Sequence, residues 1–230
     1  MTNVAKSSQD SPGEGPSSQK RRHAAGEDPG KRRQIMEGAW KVFIDQGFDA
    51  ASMNSICKEA GVSKGTLYVY FENKEDLFVA LVESKRAAFF QGIFDRLSEA
   101  ETLRESLLAF ATTLARQVTS DDVIHAQRIV ISVVERMPEL GHRFYDTGSK
   151  HFLGCLQDFL RDKTAEGALA VRDPALAAAQ LVELSTAGLW RTRLFGRITV
   201  PPSEAEIART AEAAVEMFLA AYGPKAAPNP

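Results

Sequence analysis

Cysteine is almost absent: the 230-residue chain has two. Cys57 and Cys155 stand far apart in no paired spacing, which excludes a disulfide framework and a cysteine zinc site and suits a reducing compartment. Histidine is scarce too. His142 and His151 are nine residues apart, about 180° around a helix, so they cannot share a metal from one face. His125 falls on a different predicted helix. The chain has no P-loop and no GxGxxG, and Asp121, Asp122 and Glu135 read as helix caps and solvated positions. No catalytic residue, metal or cofactor is therefore expected, and an enzyme is the remotest function class. No run approaches the roughly 18 apolar residues that span a bilayer, so no membrane partner is expected. The N-terminus lacks the apolar stretch of a signal peptide, and the expected location is the cytoplasm. A formal net charge of -2 and a pI of about 6.1 exclude a polycation, so any anion binding must come from a local patch.

What is present is the composition of an ordinary globular protein, 44% hydrophobic and 25% charged. Residues 1–30 stand apart. They are rich in Ser, Pro, Gly and Gln and cannot bury enough surface to offset their ordering entropy, so a disordered tail is expected. Two basic clusters, QKRR at 19–22 and GKRR at 30–33, leave two readings of this tail: a solvated one, or an arm that touches DNA phosphates or a minor groove.

From Lys31 the pattern is helical almost to the end, and the fold class is all-α. Ile35, Met36, Ala39, Trp40 and Phe43 lie at helical spacing, and Gly47 is a natural stop. Ser52 is placed to cap a short helix whose buried face is Met53, Ile56, Cys57 and Ala60, with Gly61 as its left-handed terminal residue. The stretch GVSKGTLYVYFENKEDLF, 61–78, follows. It holds a turn, a second short helix that Ser63 can cap, and Asn73 as the cap of a third. Leu67 and Phe71 can anchor the second helix. Gly65 inside it costs about 1 kcal/mol relative to alanine, which makes sense if a strand of nucleic acid must approach. Tyr68 and Tyr70 offer hydroxyls, and Lys74 sits in a first turn that attracts phosphate. Between residues 20 and 74, ten Lys and Arg face seven Asp and Glu. A DNA-binding helix-turn-helix explains these groups; an ordinary solvated hairpin in a protein-binding adaptor explains them too.

Residues 31–78 resemble the DNA-binding domain of the TetR family of bacterial transcriptional regulators. The resemblance is carried by GFDAASMNSICKEAGVSKGTLYVYFENKEDLF and the preceding IMEGAWKVF. It implies a three-helix DNA-binding unit over 31–76 and a larger helical domain for effector binding and dimerisation over 77–223, with a second disordered tail at 224–230. Carried over by position, Ser52, Ser63, Lys64, Gly65, Thr66, Tyr68, Tyr70 and Lys74 would lie at the DNA. The family often has threonine where Ser52 stands; serine keeps the hydroxyl. The segment IVISVVERMPELGHRFYDTG, 129–148, looks like the AefR-like group of C-terminal domains. The implied protein is a homodimeric repressor, bound to a pseudo-palindromic double-stranded operator and released by a small hydrophobic effector.

Over the rest of the chain the spacing predicts a long helix from Asn73 to about Leu97, then helices near 101–118, 122–136, 139–163, 173–195 and 203–222. The last two carry apolar stripes that predict a four-helix dimer interface through Leu181, Leu184, Gly188, Ala211, Val215 and Phe218; packing of both stripes within their own subunit is the alternative. The cavity that the resemblance implies would draw on Phe89, Phe110, Phe144, Phe152, Trp190 and Phe195, with His125 and Arg128 as polar groups.

Overall fold

A computed structural model describes residues 26–85 and 101–224, apart from the side chains of 144 and 147–151. Among the described residues there are helices and no strand. Helix α1 (Pro29–Ala50) starts inside the stretch expected to be tail. Asp28 caps it, accepting from the backbone N–H of Gly30 at 2.8 Å and of Lys31 at 3.2 Å, and Pro29 fills the first turn. Gly47, expected as a stop, instead kinks α1, with φ 75° and ψ 166°, and helix continues to Ala50. Helix α2 (Met53–Ala60) has a reciprocal cap between Ser52 and Ser55 and ends at Gly61 in the left-handed region. Helix α3 (Lys64–Tyr70) starts at Ser63, whose hydroxyl accepts from Thr66 N–H at 3.1 Å. Asn73 caps α4, which is helical over the described residues 74–85. The expected Phe89 lies outside the described residues.

The first three helices pack on a core centred on Phe43, Phe48 and Phe78, whose ring centroids are 5.4–5.5 Å apart. That core does not stop at residue 76. It continues through α4 into Ala126, Ile129, Val130 and Val133 of α6 (Asp121–Val133) and Leu140 of α7 (Pro138–Ala165). Head and body also meet at two polar junctions. Arg136 donates to Asp49 at 2.8 Å and holds that carboxyl below the usual carboxylate range. Asp122 accepts from Lys85 at 2.7 Å and from the Trp40 indole at 3.3 Å, and the Lys85 ammonium lies 4.5 Å from the Trp40 ring centroid.

The second core joins α5 (Leu103–Val118), α7, α8 (Pro174–Ser185) and α10 (Glu204–Tyr222). It absorbs most of the residues expected at a dimer interface. Leu181, Ala211, Val215 and Phe218 are buried inside the single chain, Leu184 is half-buried and Gly188 is exposed. Helical spacing identified a buried stripe correctly, but the stripe is spent within the protomer.

The helix expected over 173–195 is two helices. The Ser185 hydroxyl donates to Leu181 O at 2.7 Å and Thr186 bonds back in the same way, which competes with the ladder. Gly188 then takes φ 75°, and α9 (Trp190–Leu194) begins. The buried Arg193 holds α9 in place. It donates to Thr119 O at 3.1 Å, Ile198 O at 3.3 Å and the Asp121 carboxylate at 2.5 Å. Arg128 of α6 donates to the carbonyls of Leu194 at 2.9 Å and Arg193 at 2.7 Å, satisfying the end of α9.

Candidate nucleic-acid interface

Helix α3 is two-sided. Leu67 and the following Phe71 are buried in the head core, with the Arg32 guanidinium 5.2 Å from the Phe71 ring. The opposite side presents Ser63, Lys64, Gly65, Tyr68 and Val69 to solvent. Tyr68 is 46% exposed and Val69 52% exposed. The Lys64 ammonium lies 5.9 Å from the Tyr68 ring centroid, so cation and aromatic share one surface. A Cβ at Gly65 would have nothing closer than the Ser63 hydroxyl at 3.9 Å. The glycine therefore answers no packing need within the protein and leaves an open approach to the backbone.

Around it, α3 is held by tight local chemistry. The Ser63 and Thr66 hydroxyls bond each other at 2.8 Å. The Gln34 amide of α1 donates to Ala60 O at 2.7 Å and closes the end of α2. The α2 helix crosses α1 at Gly38, where a Cβ would stand 2.7 Å from Ala60 Cα. Sequence reasoning missed Gly38 and Gln34, because both act on residues more than twenty positions away.

The expected interface residues divide into three groups. Ser63, Lys64, Gly65, Thr66 and Tyr68 come together on α3, and Ser52 is exposed at the start of α2 with its hydroxyl in the cap. Tyr70 is half-buried and packs on the head core. Lys74 departs from expectation. Its ammonium donates to three backbone carbonyls, Phe48 at 2.8 Å, Asp49 at 3.1 Å and Ala51 at 3.2 Å, and lies 4.8 Å from the Phe48 ring centroid. An ammonium has three N–H donors. All three are used inside the protein, so Lys74 ties the end of α1 to the start of α4 and does not face a phosphate. Val69 was not among the expected residues.

The residues expected at an effector pocket stand in different surroundings. Phe110 and Phe152 stack in the body core with centroids 5.8 Å apart. Trp190 is half-buried and donates to the Gln127 side chain at 2.7 Å. Arg128 is engaged with carbonyls, and His125 is half-buried on the same helix. Phe195 is 79% exposed and lines no interior. Phe89 and the side chain of Phe144 lie outside what is described. Among the described residues no cluster of three His, Cys, Asp or Glu could hold a metal, and no helix is long and apolar enough to cross a membrane.

A seven-residue helix set on a short capped helix, with a basic and aromatic outer side, is the geometry of a helix-turn-helix. Residues 35–81 match the model for bacterial regulatory proteins of the tetR family. Residues 105–224, just over half of the 230, match the C-terminal domain of AefR-like transcriptional repressors. The chain belongs to the TetR family. It is similar to the crystal structure of a putative TetR-family transcriptional regulator from Mesorhizobium loti, with 33% identity and a TM-score of 0.77, covering 84% of this chain and 96% of that one. It is also similar to the flavonoid-responsive regulator FrrA, with 32% identity and a TM-score of 0.70, covering 86% and 100%. The fatty acid metabolism regulator protein of Bacillus subtilis is 35% identical over 77 residues. That match takes in 34% of this chain and only 40% of the regulator's length. The TetR assignment thus rests on both halves of the chain.

Proposed function

We propose that this TetR-family protein is a DNA-binding transcriptional repressor that acts as a cytoplasmic homodimer on a pseudo-palindromic operator. The observation that carries the reading is the outer side of α3, where Lys64, Gly65, Tyr68 and Val69 are free while Leu67 and Phe71 fix the helix from behind. Lys64 supplies charge for phosphate or guanine, Tyr68 a ring and a hydroxyl, and Val69 an apolar contact for a thymine methyl. Two heads reading one face of a duplex place their half-sites about 34–36 Å apart.

Gly65→Ala separates folding from recognition. With open space around the new methyl, the substitution should stabilise the protein by up to about 1 kcal/mol. If a DNA strand approaches Gly65, operator affinity should fall about tenfold, a loss of about 1.4 kcal/mol. Thermal melts and fluorescence anisotropy measure the two effects, and unchanged affinity would take Gly65 out of the interface.

The dimer reading moves from the buried stripes to the outer sides of the same helices. On α8, Leu176 is 52% exposed, with Ala179 also exposed and Ala187 exposed in the turn just past its end; on α10, Met217 is 60% exposed, with Ala213, Ala220 and Ala221 beside it. These small and apolar positions suit close approach of a second copy. Met217→Glu should give a folded monomer by sedimentation, with weakened operator binding. A variant that stays dimeric would place the interface elsewhere.

The effector reading is a small apolar molecule, supported by the responsiveness that the name of FrrA records and by the construction of α6. One side of α6 lies in the head core through Ala126, Ile129, Val130 and Val133. Another holds α9 through Gln127 and Arg128. A ligand that displaces α6 changes the head only to the extent that it binds one arrangement better than the other. A flavonoid titrated into a Trp40→Phe variant should change Trp190 fluorescence and lower operator affinity together. Fluorescence that changes while affinity does not would break the link.

A further inference from the structure

Helix α6 lies between the head and α9, and its two sides are built differently. The side toward the head is apolar: Ala126, Ile129, Val130 and Val133 are buried in the same core as Phe43 and Phe78. The side toward α9 is polar. The Trp190 indole donates to Gln127, Arg128 donates to the carbonyls of Arg193 and Leu194, and the Arg193 guanidinium donates to Asp121. Among the described residues, none of the head core comes from α9. Close-packed apolar contacts transmit displacement, so the head moves with α6. Freedom between head and body therefore lies on the α9 side. There Gln127, Arg128 and Trp190 are half-buried, and water can replace their bonds. Arg193 is buried, and its charge must be met inside the protein.

The first turn of α6 shows the division at two neighbouring residues. Asp121 takes the Arg193 guanidinium, while Asp122 takes the Trp40 indole of α1 and the Lys85 ammonium of α4. Arg193 also donates to Thr119 O, just before α6, and to Ile198 O, just after α9. Its own carbonyl accepts from Arg128, seven residues beyond Asp121 on α6. At 1.5 Å per residue those two attachments stand about 10 Å apart along the helix. Two points so separated fix the angle of α6 against α9 as well as its position.

We infer that Arg193 is a positioning residue for operator recognition: by holding the start of α6 to α9 through Asp121, it sets the orientation of the reading head on the body. The inference rests on the reading of this protein as a dimer that binds two half-sites. The heads of such a dimer must present α3 at one spacing. A body that holds each head in one orientation makes the second half-site an intramolecular contact at high effective concentration. With the Arg193 tie cut, the heads sample more orientations and fewer of them fit the spacing, while each head alone is unchanged.

The test uses the full chain and the pseudo-palindrome that it selects from random duplexes. Fluorescence anisotropy gives affinity for that duplex, for versions with one or two base pairs inserted between the half-sites, and for a single half-site. The variants are Arg193→Met, Asp121→Asn and Asp122→Asn. The last two make the same change at adjacent positions of one helix end, so their effects on the helix dipole match. Arg193→Met should bind the pseudo-palindrome about tenfold more weakly, bind the single half-site as the wild type does, and lose less affinity than the wild type when the spacing changes. Asp121→Asn, which keeps an acceptor oxygen and removes the charge, should move the same way by a smaller factor. Asp122→Asn should match the wild type, because the apolar core holds that side. Wild-type spacing dependence in Asp121→Asn, and in Arg193→Met where it folds, would overturn the role. So would an equal loss on the single half-site, which would assign the effect to the stability of the head. Loosening by Asp122→Asn as large as by Asp121→Asn would overturn the assignment to the α9 side. A wild type that gains nothing from a second half-site would overturn the dimer reading, and one that binds no duplex the DNA-binding reading, each taking the inference with it.

Discussion

Lys74→Met should cost about 2–3 kcal/mol of stability and leave the salt slope of DNA binding unchanged. The ammonium donates to the carbonyls of Phe48, Asp49 and Ala51. A hydrogen bond to a charged group contributes about 1.5–3 kcal/mol, and removing a shared donor leaves several acceptors unpaired at once. The side chain is half-buried, so water can satisfy part of what is lost, and the three bonds do not add in full. Methionine keeps an apolar stem of similar length over the Phe48 ring and removes the ammonium with its donors, which isolates the effect of the carbonyls. Denaturant melts give the stability, and anisotropy over a salt series gives the slope. A slope lowered by about one contact, with stability intact, would return Lys74 to the DNA surface.

Gly38→Ala should destabilise the head even though it adds a better helix former. Alanine in place of glycine within a helix gains about 1 kcal/mol. Against this, the new Cβ would stand 2.7 Å from Ala60 Cα and Cβ and 2.8 Å from Ala60 N. Two of these three atoms belong to the backbone, so no rotamer change can relieve the overlap, and α1 must move away from α2. Overpacking of this kind costs about 1–3 kcal/mol or more, which exceeds the gain. Gly38→Leu should leave no folded head and no DNA binding. Gly65→Ala is the internal control, the same chemical change on an open surface and with the opposite sign. A Gly38→Ala variant as stable as wild type would show that α1 and α2 do not cross where the structure puts them.

These two glycines also show what a sequence discloses. Both interrupt helical patterns, and nothing within a few residues of either tells packing from recognition. The reason for Gly38 lies at Ala60, and the partners of Lys74 lie 23 to 26 residues earlier. Features set by neighbours were legible. Ser52, Ser63 and Asn73 cap the helices they precede, Gly47 interrupts α1 and Gly61 ends α2. The all-helical fold was legible from periodicity. The periodicity of α8 and α10 was equally clear, but a stripe states that a face is buried and not against what. Leu181 and Phe218 therefore went to a partner in the sequence reading and to the protomer's own core in the fold. The break before α9 was invisible because it comes from hydroxyl groups bonding back to the ladder, a competition that composition does not weigh.

Selection of bound duplexes from a random library, using the full-length protein at low and at physiological salt, tests the central claim most directly. The expected outcome is enrichment of a pseudo-palindrome whose half-sites are centred about one helical turn apart, or a multiple of it. Tyr68→Ala and Val69→Glu should abolish that enrichment while leaving the protein folded. If the wild-type protein enriches no sequence, or if the variants recover the same site with the same affinity, α3 is not the element that reads DNA.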